Sequence, residues 1–195
     1  RWIAFHQYNI QNNIIPASNA HIETRILTSN GDMNIQEFWV KNKAKPRVLD
    51  IYYKNSAQAK CSKEVLRILR SSNIIILAPA NPVSSIGPIL SLTQIKDELI
   101  KQRDKVIAIS PIIGKKVISG PASKYLKAKG IESSCRGIAK FYSEVASKMV
   151  IDHKDANFSN EITRMGITTF KTNILMNNVK EEKRLAKFIL KVMNC

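Results

Sequence analysis

The sequence has few of the residues that build disulfide frameworks and metal centres. Its three cysteines, Cys61, Cys135 and Cys195, are widely spaced and form no Cys-x-x-Cys pair. The three histidines are equally scattered, and none has a partner at the spacing of metal ligands. We therefore expect free thiols in a reducing cytoplasm and no zinc site.

The sequence also lacks a long apolar run. A helix that spans a bilayer needs about 20 consecutive apolar residues, and no stretch of the 195 residues comes near that length. No signal-peptide pattern opens the chain. These absences argue against a membrane protein, and the length suits one domain with a sizeable core.

Acidic residues are scarce. Against 31 lysines and arginines there are 15 aspartates and glutamates, which gives a net charge of +16. Such a charge attracts phosphorylated ligands or nucleic acid. The basic residues are spread along the chain, as at residues 41–45 and 124–129, and few aromatic residues lie among them. This pattern favours a solvated basic surface over a nucleic-acid footprint.

From residue 62 onward, helical and extended patterns alternate. Apolar runs at residues 74–77, 105–109, 150–151 and 166–171 predict strands, and the first run is typical of a strand buried on both faces. Ser62 is a candidate N-cap and Gly130 a candidate helix end. Helical spacing is seen in four apolar groups: Val65 to Leu69; Leu92, Ile95 and Leu99; Ile138, Phe141, Tyr142, Val145 and Met149; and Leu185, Phe188, Ile189 and Val192. The chain is therefore predicted to be α/β and Rossmann-like, with a mostly parallel sheet and helices on both faces.

The N-terminal third has a different pattern. Residues 35–40 and 47–53 predict two strands of a small antiparallel pair or β insertion. We therefore divide one continuous domain into residues 1–60, with the β insertion, and an α/β core at 61–195. The chain opens on Arg1, and residues 1–13 show no compact first strand. We expect a fragment whose N-terminal part is absent.

The most informative segment follows the strand predicted at residues 74–77. The run at residues 78–82, Ala-Pro-Ala-Asn-Pro, can continue neither a strand nor a helix. Asn81, Ser84, Ser85 and Gly87 then offer small or hydrogen-bonding groups. Ligands of open parallel sheets bind beyond the carboxyl ends of the strands, where backbone N–H groups and hydroxyls can contact a phosphate. The segment predicts an anion-binding loop.

A second loop follows the next predicted strand. Ser110 and Gly114 bound the run Ser-Pro-Ile-Ile-Gly, and Gly120 and Pro121 open the following helix. Either loop by itself is an ordinary connection, but two at successive strand ends favour a shared site. Farther on, Asp152 and Asp155 could bind a cation, accept a proton or simply cap a turn. We favour the structural role.

Both loops resemble one known family. Residues 78–90 are similar to the signature Gly-Pro-Ser-Asn-Pro-x-x-Ser-Ile-Gly-Pro-Ile-Leu of 2-phospho-L-lactate transferases, enzymes of coenzyme F420 biosynthesis. Residues 110–122 are similar to that family's Ser-Pro-Ile-x-Gly-Gly-x-x-x-x-Gly-Pro-Ala segment. In these two segments Ala78 replaces a glycine of the family's pattern, Ala80 a serine and Lys115 a glycine. Residues 16–24 take the place of the family's Pro-Met-Ser-Asp-Asp-Pro-Val-Arg-Thr segment, where Glu23 stands for the usual arginine.

The resemblance implies a cytoplasmic transferase. It would move a 2-phospholactyl or enolpyruvyl-phosphate group from a guanylyl pyrophosphate-type donor to the deazaflavin FO, releasing GMP. The resemblance implies substrate contacts by Asn81, Ser84, Ser85, Gly87, Ser110 and Gly114. It also implies Mg²⁺, whose ligands lie in a segment absent from this sequence, so no catalytic or metal-binding residue is carried over. A homodimer is compatible with the family.

Two alternatives stay open from the sequence. The departures at Ala78, Ala80 and Glu23 allow a non-catalytic nucleotide-binding paralogue. The basic composition allows a nucleic-acid-binding α/β module.

Overall fold

The computed structural model describes residues 13–114, 116–117 and 121–193. The strands of the described part are β1 Glu23–Thr28, β2 Gly31–Asn34, β3 Val48–Lys54, β4 Ile75–Leu77, β5 Val106–Ile109, β6 Ile112–Ile113, β7 Lys116–Val117, β8 Lys148–Asp152 and β9 Thr168–Thr172. The α-helices are α1 Lys63–Ser71, α2 Gly87–Leu90, α3 Thr93–Lys101, α4 Ala122–Ala128, α5 Cys135–Tyr142, α6 Ser159–Arg164 and α7 Val179–Met193. Shorter helical turns cover Glu37–Lys41, Pro82–Ile86, Arg103–Lys105 and His153–Phe158.

The main sheet is parallel, in the order β4-β5-β8-β9. Side chains of β5 alternate between two cores: Val106 and Ala108 face one, Ile107 and Ile109 the other. Helix α3 contributes to the first core and α7 covers the second. The predicted α/β class, with helices on both faces of a parallel sheet, is confirmed.

The β structure near the N-terminus is a three-stranded antiparallel sheet, in the order β2-β1-β3, rather than a pair. Its buried residues Ile26 and Ile51 join the same core as Ile75 and Ile95 of the α/β part. A further small hairpin, β6 and β7, lies inside the loop that follows β5.

Three sequence predictions about these elements are wrong. Residues 35–40 are not a strand, because β2 ends at Asn34, whose side-chain oxygen accepts the N–H of Glu37 (2.8 Å) and starts the Glu37–Lys41 π-helical turn. The helix predicted to reach Met149 ends at Tyr142, and Met149 lies in β8. Helical spacing extended across both elements because both bury apolar residues in one core.

The third error concerns the strand predicted to be buried on both faces. In β4, Ile75 and Leu77 are buried but Ile76 is 45% exposed. Parallel strands are apolar on both sides where helices cover both faces. Strand β4 is an edge strand of the four-stranded sheet, and Ile76 belongs to neither of the two described cores.

Several local predictions are confirmed. The hydroxyl of Ser62 accepts the N–H of Val65 (3.2 Å) and caps α1. Gly130 follows α4 with φ of +65°, the left-handed conformation that glycine adopts at helix ends. Leu185, Ile189 and Val192 form the buried face of α7.

Candidate functional site

Three connections meet at the carboxyl edge of the parallel sheet. Strands β4, β5 and β8 are neighbours and run in the same direction. The segments that follow them are the turn at Pro82–Ile86, the loop at residues 110–114 and the turn at His153–Phe158. The two predicted ligand loops therefore lie at one edge, on adjacent strands, where open α/β sheets bind ligands.

Asn81 organises the first loop. Its side-chain oxygen accepts the N–H groups of Val83 (2.9 Å) and Ser84 (3.0 Å). Its main-chain oxygen accepts those of Ser85 and Ile86, both at 3.0 Å. These four N–H groups are already hydrogen-bonded within the loop, so Asn81 acts as an N-cap.

Gly87 closes the same turn by leaving room for a tyrosine. The hydroxyl of Tyr53, on β3, donates to the main-chain oxygen of Val83 (2.6 Å). A Cβ added to Gly87 would lie 1.9 Å from that hydroxyl oxygen. Burial raises the pKa of Tyr53 to about 12, so the phenol remains a protonated donor. A hydrogen bond from the antiparallel sheet therefore fixes the first loop.

Ser84 and Ser85 are the accessible polar side chains of this loop. Ser85 is exposed and Ser84 half-buried. Within the described residues, neither hydroxyl has a hydrogen-bond partner. Each is free to donate to a ligand at the edge of the sheet.

Ser110 is fully buried in the second loop. Its hydroxyl donates to the main-chain oxygen of Ile112 (3.0 Å) and accepts the N–H of the same residue (3.1 Å). Gly114 is half-buried with φ of +62°, a conformation that favours glycine. The predictions about Lys115 and Gly120 lie outside the described residues.

A buried carboxylate joins the second loop to the turn after β8. Oδ2 of Asp155 accepts the N–H of Gly114 (3.0 Å), and its Oδ1 has no hydrogen-bond partner within the described part of the chain. Burial raises the pKa of Asp155; the charge of Asp152 adds to this effect, and the Gly114 hydrogen bond opposes it. Asp152 has a capping role, since its two oxygens accept the N–H groups of Lys154 and Ile174.

These aspartates do not form a magnesium site. Three of their four oxygens accept backbone N–H groups, as the oxygens of turn-capping aspartates do. Among the residues that the structure describes, no group of three or more His, Cys, Asp or Glu could hold a metal ion. The structural role favoured for this pair agrees with its contacts.

Other residues noted in the sequence are structural. Glu23 pairs with Arg25 (3.3 Å), and Glu37 lies 3.8 Å from Lys41 on the surface. Cys61 and Cys135 are buried free thiols, and burial raises the pKa of Cys135 to about 12. Such a thiol is unreactive.

Sequence reasoning missed the roles of Tyr53 and Asp155 in holding the two loops. Tyr53 lies in a strand that the sequence predicts. Its hydroxyl reaches the main-chain oxygen of Val83 only because β3 pairs with β1 and their sheet packs into the shared core. The glycine at position 87 was the available signal, because a buried glycine often marks a close approach.

Comparison with known proteins gives a consistent result. The pattern that defines the 2-phospho-L-lactate transferase CofD family matches residues 4–186. The chain belongs to this family. A 2-phospho-L-lactate transferase of Methanocaldococcus jannaschii is 40% identical over 185 residues, covering 93% of this chain and 58% of the relative. That of Methanococcoides burtonii is 37% identical, covering 95% of this chain and 60% of the relative. The chain thus spans somewhat under two thirds of the length of these family members.

Solved structures support the fold. A Bacillus halodurans protein superposes with a TM-score of 0.62 over 95% of this chain and 64% of its own, at 15% sequence identity. A second structure, described as a UPF0052 family member from the same organism, gives 0.59 at 14% identity over 89% of this chain and 59% of its own. At these identities the likeness concerns the fold. No helix in the described ranges has the length and apolar character needed to cross a bilayer.

Proposed function

We propose that the whole protein transfers a 2-phospholactyl or enolpyruvyl-phosphate group from a guanylyl pyrophosphate-type donor to a hydroxyl of the deazaflavin FO, with release of GMP. The observation that carries the proposal is the position of two family-like loops on adjacent parallel strands, at one edge of the sheet. The 40% identity to a 2-phospho-L-lactate transferase supports the same assignment.

The proposed substrate-binding set divides into two groups by its contacts. Ser84 and Ser85 present accessible hydroxyls and would donate to phosphate oxygens of the donor. Asn81 and Gly87 shape the loop that carries those hydroxyls, and Ser110 and Gly114 shape the loop after the neighbouring strand. In this proposal the chain positions the donor, and no side chain of the described residues attacks it.

Mg²⁺ is part of the proposal but not of this chain's chemistry. The described carboxylates do not fit the ion, so we assign no step to it here. Its ligands would come from the share of the relatives' length that this chain does not span. A cytoplasmic location and a homodimer belong to the same proposal.

The test is steady-state kinetics of the whole protein with FO and the donor. Ser84→Ala combined with Ser85→Ala removes two charge-assisted hydrogen bonds of about 1.5–3 kcal/mol each, and should raise the donor KM at least about tenfold. The matched control is Ser29→Ala, which removes an exposed hydroxyl from the turn between β1 and β2. An unchanged KM in the double variant would remove the first loop from the donor site.

A further inference from the structure

The fold joins two basic runs that are far apart in sequence. Nζ of Lys124 donates to the main-chain oxygens of Ala44 (2.5 Å) and Lys45 (3.3 Å). Helix α4 also contacts β3, and Lys129 pairs with Asp50 (3.2 Å). Basic residues that are far apart along the sequence are therefore clustered in space.

The cluster surrounds a cavity of about 490 Å³. Four cationic residues, Lys45, Arg47, Lys124 and Lys127, line it together with Val48, Leu49 and Ala128. Among the residues that the structure describes, no carboxylate lines this cavity and none of the four cations forms an ion pair. The nearby Lys129, in contrast, is neutralised by Asp50.

Two adjoining cavities extend the cluster. One, of about 530 Å³, shares Lys45 and adds Lys41 and Lys43. The other, of about 540 Å³, shares Lys124 and Lys127 and continues along residues 130–133. The carboxylate in that range, Glu132, pairs with Arg136 (2.8 Å). We call the six cations the basic strip: Lys41, Lys43, Lys45, Arg47, Lys124 and Lys127.

The strip is held in an unfavourable arrangement. Lys41 is close to Glu37 (3.8 Å), but the four cations around the first cavity have no ion pair among the described residues. Such like charges repel each other, and an anion would relieve the repulsion. The backbone at Lys43 and Ala44 is left-handed, with φ of +50° and +52°, although neither residue is glycine. Such a conformation is strained for a residue other than glycine, and residues of this kind cluster at functional sites. Two hydrogen bonds fix this conformation. The N–H of Ala44 donates to the main-chain oxygen of Phe38 (2.9 Å), and the main-chain oxygen of Ala44 accepts from Nζ of Lys124.

We propose that the basic strip binds a chain of consecutive phosphate groups, the chemistry shared by nucleic-acid backbones and inorganic polyphosphate. Several cations in succession match several phosphates in succession. In the described part of the chain no aromatic ring lines any of the three cavities, so the proposal involves no stacking on bases. Two of its cations lie on α4, and the other four lie in the Glu37–Lys41 turn and in the segment that leads to β3. The strip therefore does not include the serines of the first loop. The proposal is therefore independent of the transferase assignment.

The experiment measures binding of the whole protein to a labelled oligodeoxythymidylate strand at several salt concentrations. Arg47→Ser combined with Lys127→Ser removes two exposed cations of the strip. Each lost phosphate contact lowers the magnitude of the slope of log K against log salt by about 0.7, so the double variant should lower it by about 1.4. At about 0.15 M salt the affinity should drop roughly tenfold. Inorganic polyphosphate should displace the strand.

The control removes the same charge elsewhere. Lys180→Ser combined with Lys183→Ser changes two cations that line a separate basic surface on α7, and should leave both slope and affinity unchanged. Equal losses in the two double variants would show diffuse attraction and overturn the proposal. The absence of binding, or a strand that polyphosphate cannot displace, would overturn it as well.

Discussion

At the residue scale, a tyrosine and a glycine determine the shape of the first loop. Tyr53 reaches from the antiparallel sheet to the main chain of Val83, and the missing side chain of Gly87 makes the approach possible. The family-like glycine therefore has a packing explanation that requires no ligand. Sequence reasoning identified the position but could not supply the partner, which lies 34 residues earlier.

Tyr53→Phe tests this hydrogen bond. The change keeps the ring and leaves the Val83 oxygen without its donor, so the free energy of unfolding should fall by about 1 kcal/mol. The control is Tyr125→Phe, because the hydroxyl of Tyr125 is fully buried but has no partner within the described residues. The control should cost nothing. Equal losses measured by urea denaturation would contradict a specific role for Tyr53.

Asp155 makes a second prediction, in which pH is the variable. Its pKa is raised in the folded protein, so the folded state favours the neutral acid. The resulting stability is fully present below the pKa of an unfolded aspartate, about 3.9, and is lost as pH rises through the folded value. Asp155→Asn stays neutral and keeps an acceptor for Gly114.

The stability of Asp155→Asn relative to the unchanged protein should therefore increase as pH rises across that window. Thermal denaturation over a pH series measures the difference. Asp97→Asn, at an exposed position on α3, controls for the change in net charge. A difference that does not vary with pH would show that Asp155 has the same pKa in the folded and unfolded protein, and would contradict the prediction.

At the element scale, the N-cap of α1 tests how much one local hydrogen bond contributes to the stability of the protein. Ser62→Ala removes the acceptor for the N–H of Val65 and should cost about 1 kcal/mol of unfolding free energy. Ser62→Asp keeps an acceptor at the N-cap and should preserve most of the stability. If urea denaturation showed that Ser62→Asp lowers the free energy of unfolding as much as Ser62→Ala does, the capping role would be wrong.

The elements that could be predicted are those with strong local patterns. Residues 105–109 and 185–192 have clear extended and helical spacing, and the structure shows β5 and α7 there. Strands β1 and β2 were not predicted, because Gly31–Asn34 is mostly polar and becomes a strand only by pairing with Glu23–Thr28. Residues 35–40 alternate like a strand, but the Asn34 side chain starts a turn.

At the scale of the whole molecule, the two sheets share one core and together support the candidate site. The two loops share one edge of the sheet because β4 and β5 are adjacent parallel strands. The alternation of strands and helices in the sequence predicts this parallel arrangement. The internal hydrogen bonds of Asn81 and the Gly114–Asp155 contact depend on exact geometry and could not be read from the sequence. The basic strip was missed for the same reason, since its two halves meet only in the fold.

The central claim is that the edge formed by residues 81–87 and 110–114 holds the guanylyl-linked donor. Hydrogen exchange of the whole protein with and without that donor tests it directly. We predict slower exchange in both segments when the donor is bound, with the residues of the basic strip unchanged. Protection confined to the basic strip, or no protection at either loop under saturating donor, would contradict the account.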